Sequence, residues 1–160
     1  LRTLDLSGVT LPEEALDAVT YACPNLTSLL LNTCGRFTAQ ALERVVQRCL
    51  SLHSLELNSL FLNTLTVEPL THAGQLRRLS VAFNSKLYDA LAMTHLASIP
   101  QLEYLDLRGA GPDVSSDPAV LRALVPLLLR GAKVQCMQAL HVSAPALAAE
   151  KHSSAKCALL

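Results

Sequence analysis

Apolar residues recur along this chain in the six-residue pattern L-x-x-L-x-L. The pattern begins at residues 1, 26, 52, 76 and 102, and only Val81 replaces a leucine within it. These starts lie 25, 26, 24 and 26 residues apart. One match arises easily by chance in a leucine-rich chain, but five matches at nearly constant spacing indicate an internal structural repeat.

Each match predicts a short strand, because alternate side chains of a strand point to opposite faces. The second and third leucines of each match then point into a core, while their neighbours point outward. A period of about 20 to 29 residues with this pattern is that of a leucine-rich repeat. The sequence therefore predicts an α/β fold, a right-handed leucine-rich-repeat solenoid with parallel strands on its concave face and helices on its convex face.

The segment after the second strand has the signals of a helix. Thr38 is a candidate N-cap, because its hydroxyl can accept a hydrogen bond from the first helical turn. Leu42, Val45, Val46 and Cys49 follow at the i, i+3, i+4 and i+7 spacing of one buried stripe. We expect this stripe to face the core.

Two other return segments begin with proline signals. Pro12 is expected as the first helical residue after the first strand, with Leu16 and Val19 inward. Asp117 and Pro118 are expected to open a later helix. That helix should be kinked by Pro126 and should end at Gly131. Before the helix, the residues between Arg108 and Asp117 should form a surface loop.

The pattern predicts a solenoid over residues 1–147 and a flexible C-terminal tail over residues 148–160. A degenerate terminal repeat is expected at Met137, Leu140 and Val142. The chain begins at Leu1, inside the first predicted strand and with no polar cap before it. We therefore expect it to be a fragment of a longer protein.

The second repeat resembles the cysteine-containing leucine-rich repeat that is typical of F-box proteins. The resemblance rests on Cys23-Pro24-Asn25-Leu26-Thr27-Ser28-Leu29-Leu30-Leu31-Asn32-Thr33-Cys34, continued by Phe37-Thr38, Ala41-Leu42 and Cys49. It covers roughly residues 1–108. Later repeats depart from it: Ala73 and Ser98 replace Cys23 and Cys49, and Leu60, Asn84 and Ala110 replace Cys34.

This resemblance implies the substrate-recognition repeats of an SCF-type ubiquitin ligase receptor. An SCF adaptor would then be a partner only if an F-box lies upstream of Leu1. The alternative is an intracellular leucine-rich-repeat scaffold or regulator without an F-box. A secreted protein is the weaker alternative, supported only by the glycosylation triplet at Asn25.

Charge and composition limit the classes of partner and the location that we expect for this chain. Thirteen basic and thirteen acidic residues leave no net charge, so we expect no nucleic-acid partner. No apolar stretch approaches the roughly 20 residues of a membrane-spanning helix, and we expect a cytoplasmic protein. The five cysteines form no C-x-x-C pair, and we interpret them as thiols in a reducing compartment, not as metal ligands.

No group of residues indicates catalysis or a cofactor. The five histidines are spread over different repeats, and the closest acid–base pair, His53 with Glu56, should lie on opposite faces of a strand. The segment Gly109-Ala110-Gly111-Pro112 lacks the donors of a phosphate cradle, since proline has no N–H. We expect a protein that is not an enzyme and binds no metal or cofactor.

Outward strand positions should line up in columns about 4.8 Å apart and bind a partner protein on the concave face. Arg78 and Tyr104 are the expected anchors, since arginine and aromatic side chains dominate interface energetics. The predicted partner-binding residues are Asp5, Ser28, Leu30, Asn32, Ser54, Glu56, Asn58, Arg78, Ser80, Tyr104, Asp106 and Arg108.

The last four residues, Cys157-Ala158-Leu159-Leu160, form a C-a-a-X box. A terminal leucine favours geranylgeranylation, and several F-box proteins with similar repeats carry such a box. Membrane association is therefore expected only through lipidation of Cys157. A single lipid chain binds a membrane reversibly, and Lys151 and Lys156 supply a small basic patch beside it.

Overall fold

Six strands form one parallel sheet in the computed structural model, which describes residues 1–110 and 117–136. The strands are β1 (Thr3–Asp5), β2 (Ser28–Leu30), β3 (Ser54–Glu56), β4 (Arg78–Ser80), β5 (Tyr104–Asp106) and β6 (Lys133–Gln135). Each strand pairs with the next one in the chain, so the order in the sheet is the order in the sequence. The predicted α/β class with a parallel sheet is confirmed.

The central residues of the strands form one in-register row. The row consists of Leu4, Leu29, Leu55, Leu79, Leu105 and Val134. The four leucines from Leu29 to Leu105 have 0% of their surface exposed. Leu4 is only partly buried, because β1 lies at the edge of the sheet.

Helices cover the face to which the strand centres point. They are α1 (Glu13–Ala22), α2 (Ala39–Arg48), α3 (Thr64–Val67), a 3-10 helix (Glu68–His72), α4 (Ala90–Ala97) and α5 (Pro118–Leu129). Consecutive helices pack against one another, and their inward side chains join the strand centres in one hydrophobic core. Pro69 accounts for the short α3, since proline has no N–H to continue the helical hydrogen bonds.

The predicted helix boundaries are largely confirmed. The Thr38 hydroxyl accepts a hydrogen bond from Ala41 N–H at 3.2 Å, and Asp117 caps α5 in the same way from Ala119 N–H. The expectation for Pro12 was wrong by one residue, because Pro12 is the N-cap of α1. Gly131 follows the end of α5 with a φ of 85°, as expected.

The inward faces match the predicted stripes with one exception. Leu42, Val45, Val46 and Cys49 are all buried. In α1, Thr20 is fully buried, whereas Val19 is only half-buried. The Thr20 hydroxyl can be buried because it donates to the carbonyl of Asp17 at 3.0 Å.

The sequence did not predict the sixth strand that the structure describes. The expected strand at Met137–Val142 and the tail at 148–160 fall outside the described residues, whereas β6 occupies Lys133–Gln135. Around β6, the three leucine positions of the six-residue pattern are occupied by Gly131, Val134 and Cys136. Because neither Gly131 nor Cys136 is a leucine, the six-residue pattern does not reveal this strand.

A turn of the same shape follows β1 to β5. The residue four places after each strand centre has positive φ: Gly8 (78°), Thr33 (57°), Ser59 (57°), Phe83 (58°) and Gly109 (65°). In the last of these turns, a Cβ added to Gly109 would lie 2.7 Å from Phe83 Cδ1. The positive φ favours glycine at position 109, and the aromatic ring above it leaves no room for a Cβ unless the ring moves.

We expect Gly109→Ala to lower the free energy of unfolding by about 2 kcal/mol, through backbone strain and contact with the Phe83 ring. Gly8→Ala is the matched control, because Gly8 has the same turn position but its nearest atom would be 4.0 Å away. It should cost about 1 kcal/mol. Urea unfolding of both variants measures the difference, and equal losses would show that the ring moves aside without cost.

One buried asparagine links two successive turns. Asn84 has 0% exposure, and its Nδ2 donates to the carbonyls of Leu57 (2.9 Å) and Val81 (2.8 Å). Its Oδ1 accepts hydrogen bonds from Leu60 N–H and Leu62 N–H, each at 3.0 Å. The side chain thereby satisfies buried backbone groups that no regular strand or helix pairs.

Candidate functional site

The face of the sheet opposite the helices carries three columns of side chains, which we call the sheet face. The first column is Thr3, Ser28, Ser54, Arg78, Tyr104 and Lys133, and the second is Asp5, Leu30, Glu56, Ser80, Asp106 and Gln135. The third column is Ser7, Asn32, Asn58, Ala82 and Arg108, joined by backbone hydrogen bonds such as Thr33 N–H to Asn58 O. The predicted register of all three columns is confirmed.

Hydrogen bonds connect the second and third columns. Asn32 Nδ2 donates to Glu56 Oε2 at 2.8 Å, and Asn32 Oδ1 accepts from Asn58 N–H at 3.1 Å. Asn58 Oδ1 accepts from the Ser80 hydroxyl and from Ala82 N–H, both at 2.7 Å. These contacts hold the amide and carboxylate groups in fixed orientations.

Asp106 was expected as an exposed partner contact, but only 2% of it is exposed. Arg108 lies over it, with Nη2 donating to Oδ2 at 2.7 Å and the backbone N–H donating to Oδ1 at 3.1 Å. These hydrogen bonds raise the pKa of the Arg108 guanidinium, which stays charged. Arg108 itself is exposed. A partner would therefore contact Arg108 directly and Asp106 only through it.

Ala82 is also buried, with 1% exposure, although its position in the third column suggested an outward side chain. Asp5, in the column of Asp106, is exposed instead. The side chain and the backbone N–H of Ser7 both donate to the Asp5 carboxylate and lower its pKa. The column therefore does not fix the exposure of its members.

An open cavity of about 490 Å³ lies at the amino ends of β3 to β6, and we call it the basic pocket. Its lining residues are His53, Ser54, Arg77, Arg78, Glu103, Tyr104, Gly131 and Lys133. The Arg78 guanidinium stacks on the Tyr104 ring, 4.8 Å from its centroid. The Tyr104 hydroxyl in turn donates to Gln135 Oε1. The predicted anchors Arg78 and Tyr104 therefore contact each other.

The opposite ends of the strands differ in charge. The amino ends of β4 to β6 carry Arg77, Arg78 and Lys133, with Glu103 paired to Arg77 at 2.8 Å. Nearer the carboxyl ends lie the carboxylates of Asp5 and Glu56, together with the ion pair of Asp106 and Arg108. Since the chain as a whole has no net charge, this separation is a local property of the sheet face.

The residues considered for catalysis are not assembled. His53 Nδ1 lies 2.5 Å from the carbonyl oxygen of Ser51, so this ring nitrogen hydrogen-bonds to the backbone. Among residues 1–110 and 117–136, no three His, Cys, Asp or Glu side chains are grouped so that they could hold a metal ion.

The four described cysteines are thiols, at positions 23, 34, 49 and 136. Cys34 and Cys49 are buried, and burial raises the pKa of both thiols. The Cys49 thiol lies against the backbone of its neighbour in the preceding turn, 3.9 Å from Cys23 O. Cys157 lies outside the described residues, so its lipidation stays a prediction.

Comparison with known proteins identifies one relative and no family. No family model matches this chain. The chain is similar to the Caenorhabditis elegans protein named "Putative RNA-binding protein EEED8.10", with 29% identity over 119 residues. The match covers 72% of this chain but only 16% of the relative, so the chain spans a small part of that protein's length.

The sequence did not predict the cationic side of the basic pocket. Lys133 was missed because β6 was not recognised, and Arg77 was missed because it precedes the first residue of β4. An available signal was the local run Arg77-Arg78 in a chain with only thirteen basic residues. Exposed aromatic residues after the strands, Phe61 and Phe83, were also missed; Arg36 stacks on Phe61 at 5.0 Å.

Among the helices of residues 1–110 and 117–136, none combines the length and apolar character needed to cross a membrane.

Proposed function

We propose that this chain is a leucine-rich-repeat solenoid that works as a protein-binding module through its sheet face. The observation that carries the proposal is the set of three in-register columns, of which the second and third are joined by hydrogen bonds between their polar residues. A preorganised polar surface loses little side-chain freedom on binding, which favours recognition of a defined partner.

Two features support the solenoid. The positive-φ turn recurs at the same distance after five successive strand centres. Side chains five places after a strand centre also make equivalent contacts: Cys34 Sγ lies 3.0 Å from Leu6 O, and Asn84 Nδ2 lies 2.9 Å from Leu57 O. Leu6 and Leu57 each stand two places after a strand centre. Repeated contacts of this kind are expected when similar units stack on one another.

We infer that the bound partner is a substrate of an SCF-type ubiquitin ligase, held by these repeats in the cytoplasm. The support is the resemblance of residues 23–57 to cysteine-containing repeats. The alternative is an intracellular scaffold or regulator without an F-box. Association of the complete protein with the SCF adaptor separates the two, since only the ligase receptor requires it.

RNA binding, which the relative's name mentions, has less support in this chain. A nucleic-acid surface needs a broad cationic footprint, whereas the cations of the sheet face are confined to the amino ends of β4 to β6 and to Arg108, and the face also carries Asp5 and Glu56. Arg78 already lies over the ring of Tyr104, which reduces the ring surface on which a base could stack.

We expect Arg78→Ala with Tyr104→Ala to reduce partner capture by the complete protein about tenfold or more, as for anchors at an interface centre. Quantitative affinity purification from cells measures the loss. Glu43→Ala is the matched control, because Glu43 is exposed on α2, away from the sheet. The double variant must keep the parent's melting temperature to within a few degrees. Undiminished capture by a folded double variant would refute binding through the sheet face.

A further inference from the structure

The basic pocket has the chemistry to bind carboxylates. Three cations, Arg77, Arg78 and Lys133, and one carboxylate, Glu103, give it a net charge of +2. We propose that the basic pocket binds an extended acidic segment of the partner protein, rich in Glu or Asp. This inference rests on the proposed function and specifies the chemistry of the partner at that surface.

Arg78 is held ready for a carboxylate. Its guanidinium carbon lies over the Tyr104 ring, 4.8 Å from the centroid, and the Tyr104 hydroxyl is fixed by Gln135 on the neighbouring strand. A guanidinium that contacts an aromatic ring through its face keeps the N–H groups at its edge available for hydrogen bonds. Among the described residues, Arg78 forms no salt bridge, so this edge can accept a partner's carboxylate in the two-point geometry that arginine prefers.

Arg77 and Lys133 lie on either side of this anchor. Arg77 is already paired with Glu103, and the two side chains are 49% and 62% exposed. An exposed ion pair of this kind is weak, so an incoming carboxylate can compete with Glu103 for Arg77. Lys133 stands next to Tyr104 in the first column and adds a third positive charge.

The shape of the surface favours an extended segment. The cavity volume of about 490 Å³ fits a few side chains and not a folded domain. From the pocket, the first column continues across the strands with small hydroxyl residues, Ser54, Ser28 and Thr3. These hydroxyl groups lie beside the path of a segment that crosses the strands at their amino ends, and they can bond its backbone.

Fluorescence anisotropy with the full chain tests this assignment. The probe is a fluorescein-labelled peptide of alternating Glu and Ala, compared with the same peptide carrying Gln in place of Glu and with a labelled oligouridine. We expect the Glu peptide to bind at least tenfold more tightly than the Gln peptide at low salt. Salt should weaken its binding.

Variants that should weaken or strengthen binding of the Glu peptide provide a second test. Arg78→Gln should weaken binding of the Glu peptide about tenfold, and Lys133→Gln about threefold. Glu103→Gln should strengthen binding about threefold, because it releases Arg77 and removes a competing carboxylate. Lys86→Gln, an exposed cation outside the pocket, is the control and should change little.

Equal binding of the Glu and Gln peptides, or no effect of Arg78→Gln, would overturn the inference. Tighter binding of oligouridine with the same loss in Arg78→Gln would also overturn it, in favour of nucleic acid. Failure of the acidic-segment inference can be distinguished from failure of the proposed function. For this, a photo-crosslinking residue is placed at position 30 of the complete protein in cells. Protein cross-links that persist in Arg78→Gln leave the sheet face as a binding surface without an acidic segment. No protein cross-link from position 30 would refute the proposed function itself.

Discussion

Replacing Asn84 with leucine should lower the free energy of unfolding by about 3 to 5 kcal/mol. Leucine fills the space of the amide but cannot accept the N–H groups of Leu60 and Leu62, which Asn84 Oδ1 binds at 3.0 Å each. The carbonyls of Leu57 and Val81 lose their donor as well. Each buried group left without a partner costs about 1 to 3 kcal/mol, which is why the effect is large.

Urea unfolding followed by circular dichroism measures this loss. Asn84→Cys should be less damaging than Asn84→Leu, because the thiol of Cys34 lies 3.0 Å from the equivalent carbonyl of Leu6. Asn25→Leu, at an exposed position, controls for the change of residue type and should cost less than about 0.5 kcal/mol. If Asn84→Leu is as stable as Asn25→Leu, the amide does not link the two turns.

The second large effect is expected in the core. Leu79 is the centre of β4, lies between Leu55 and Leu105, and has 0% exposure. Leu79→Ala removes buried methyl groups and leaves a cavity, so we expect a loss of about 3 to 4 kcal/mol. For a chain of this size, that corresponds to a fall in melting temperature of roughly 10 °C.

Leu30→Ala is the matched control for Leu79→Ala. Leu30 also lies in a strand of the sheet, but its side chain is half-buried and belongs to the second column of the sheet face. Its replacement should cost less than about 1.5 kcal/mol. Thermal unfolding of the two variants compares the two sides of the sheet directly. Equal losses would contradict the conclusion that the core lies on the side of the strand centres alone.

The basic pocket and the hydrophobic core lie on opposite sides of the same strands. Leu79 points into the core, whereas Arg78 and Ser80 point to the sheet face. Because alternate residues of a strand face opposite ways, the pocket residues can be changed with little loss of buried area. Variants at Arg78 or Lys133 should therefore change binding without the large unfolding effects expected for Leu79 and Asn84.

The exposure of individual site residues depends on neighbours that are distant in sequence. Asp5 and Asp106 occupy the same column and are each followed two residues later by a hydrogen-bond donor, Ser7 or Arg108. Asp106 lies between β4 and β6 and is covered by the long Arg108 side chain. Asp5 lies on an edge strand, with Ser7 too short to cover it. The local sequence is similar, so it could not separate the exposed carboxylate from the buried one.

Several features could be predicted from the residues alone: the α/β class, the first five strands, the register of their columns and the caps at Thr38 and Asp117. They could be predicted because leucine spacing, strand alternation and helix capping are local rules that act within a few residues. The place of β6, the burial of Asp106 and Ala82, and the basic pocket became visible only in the folded chain. Each of these depends on contacts between separate units: Val134 pairs with Leu105 across 29 residues, and Lys133 is brought beside Tyr104 by that pairing. Such contacts are set by the packing of whole strands and helices, which no short segment of the chain encodes.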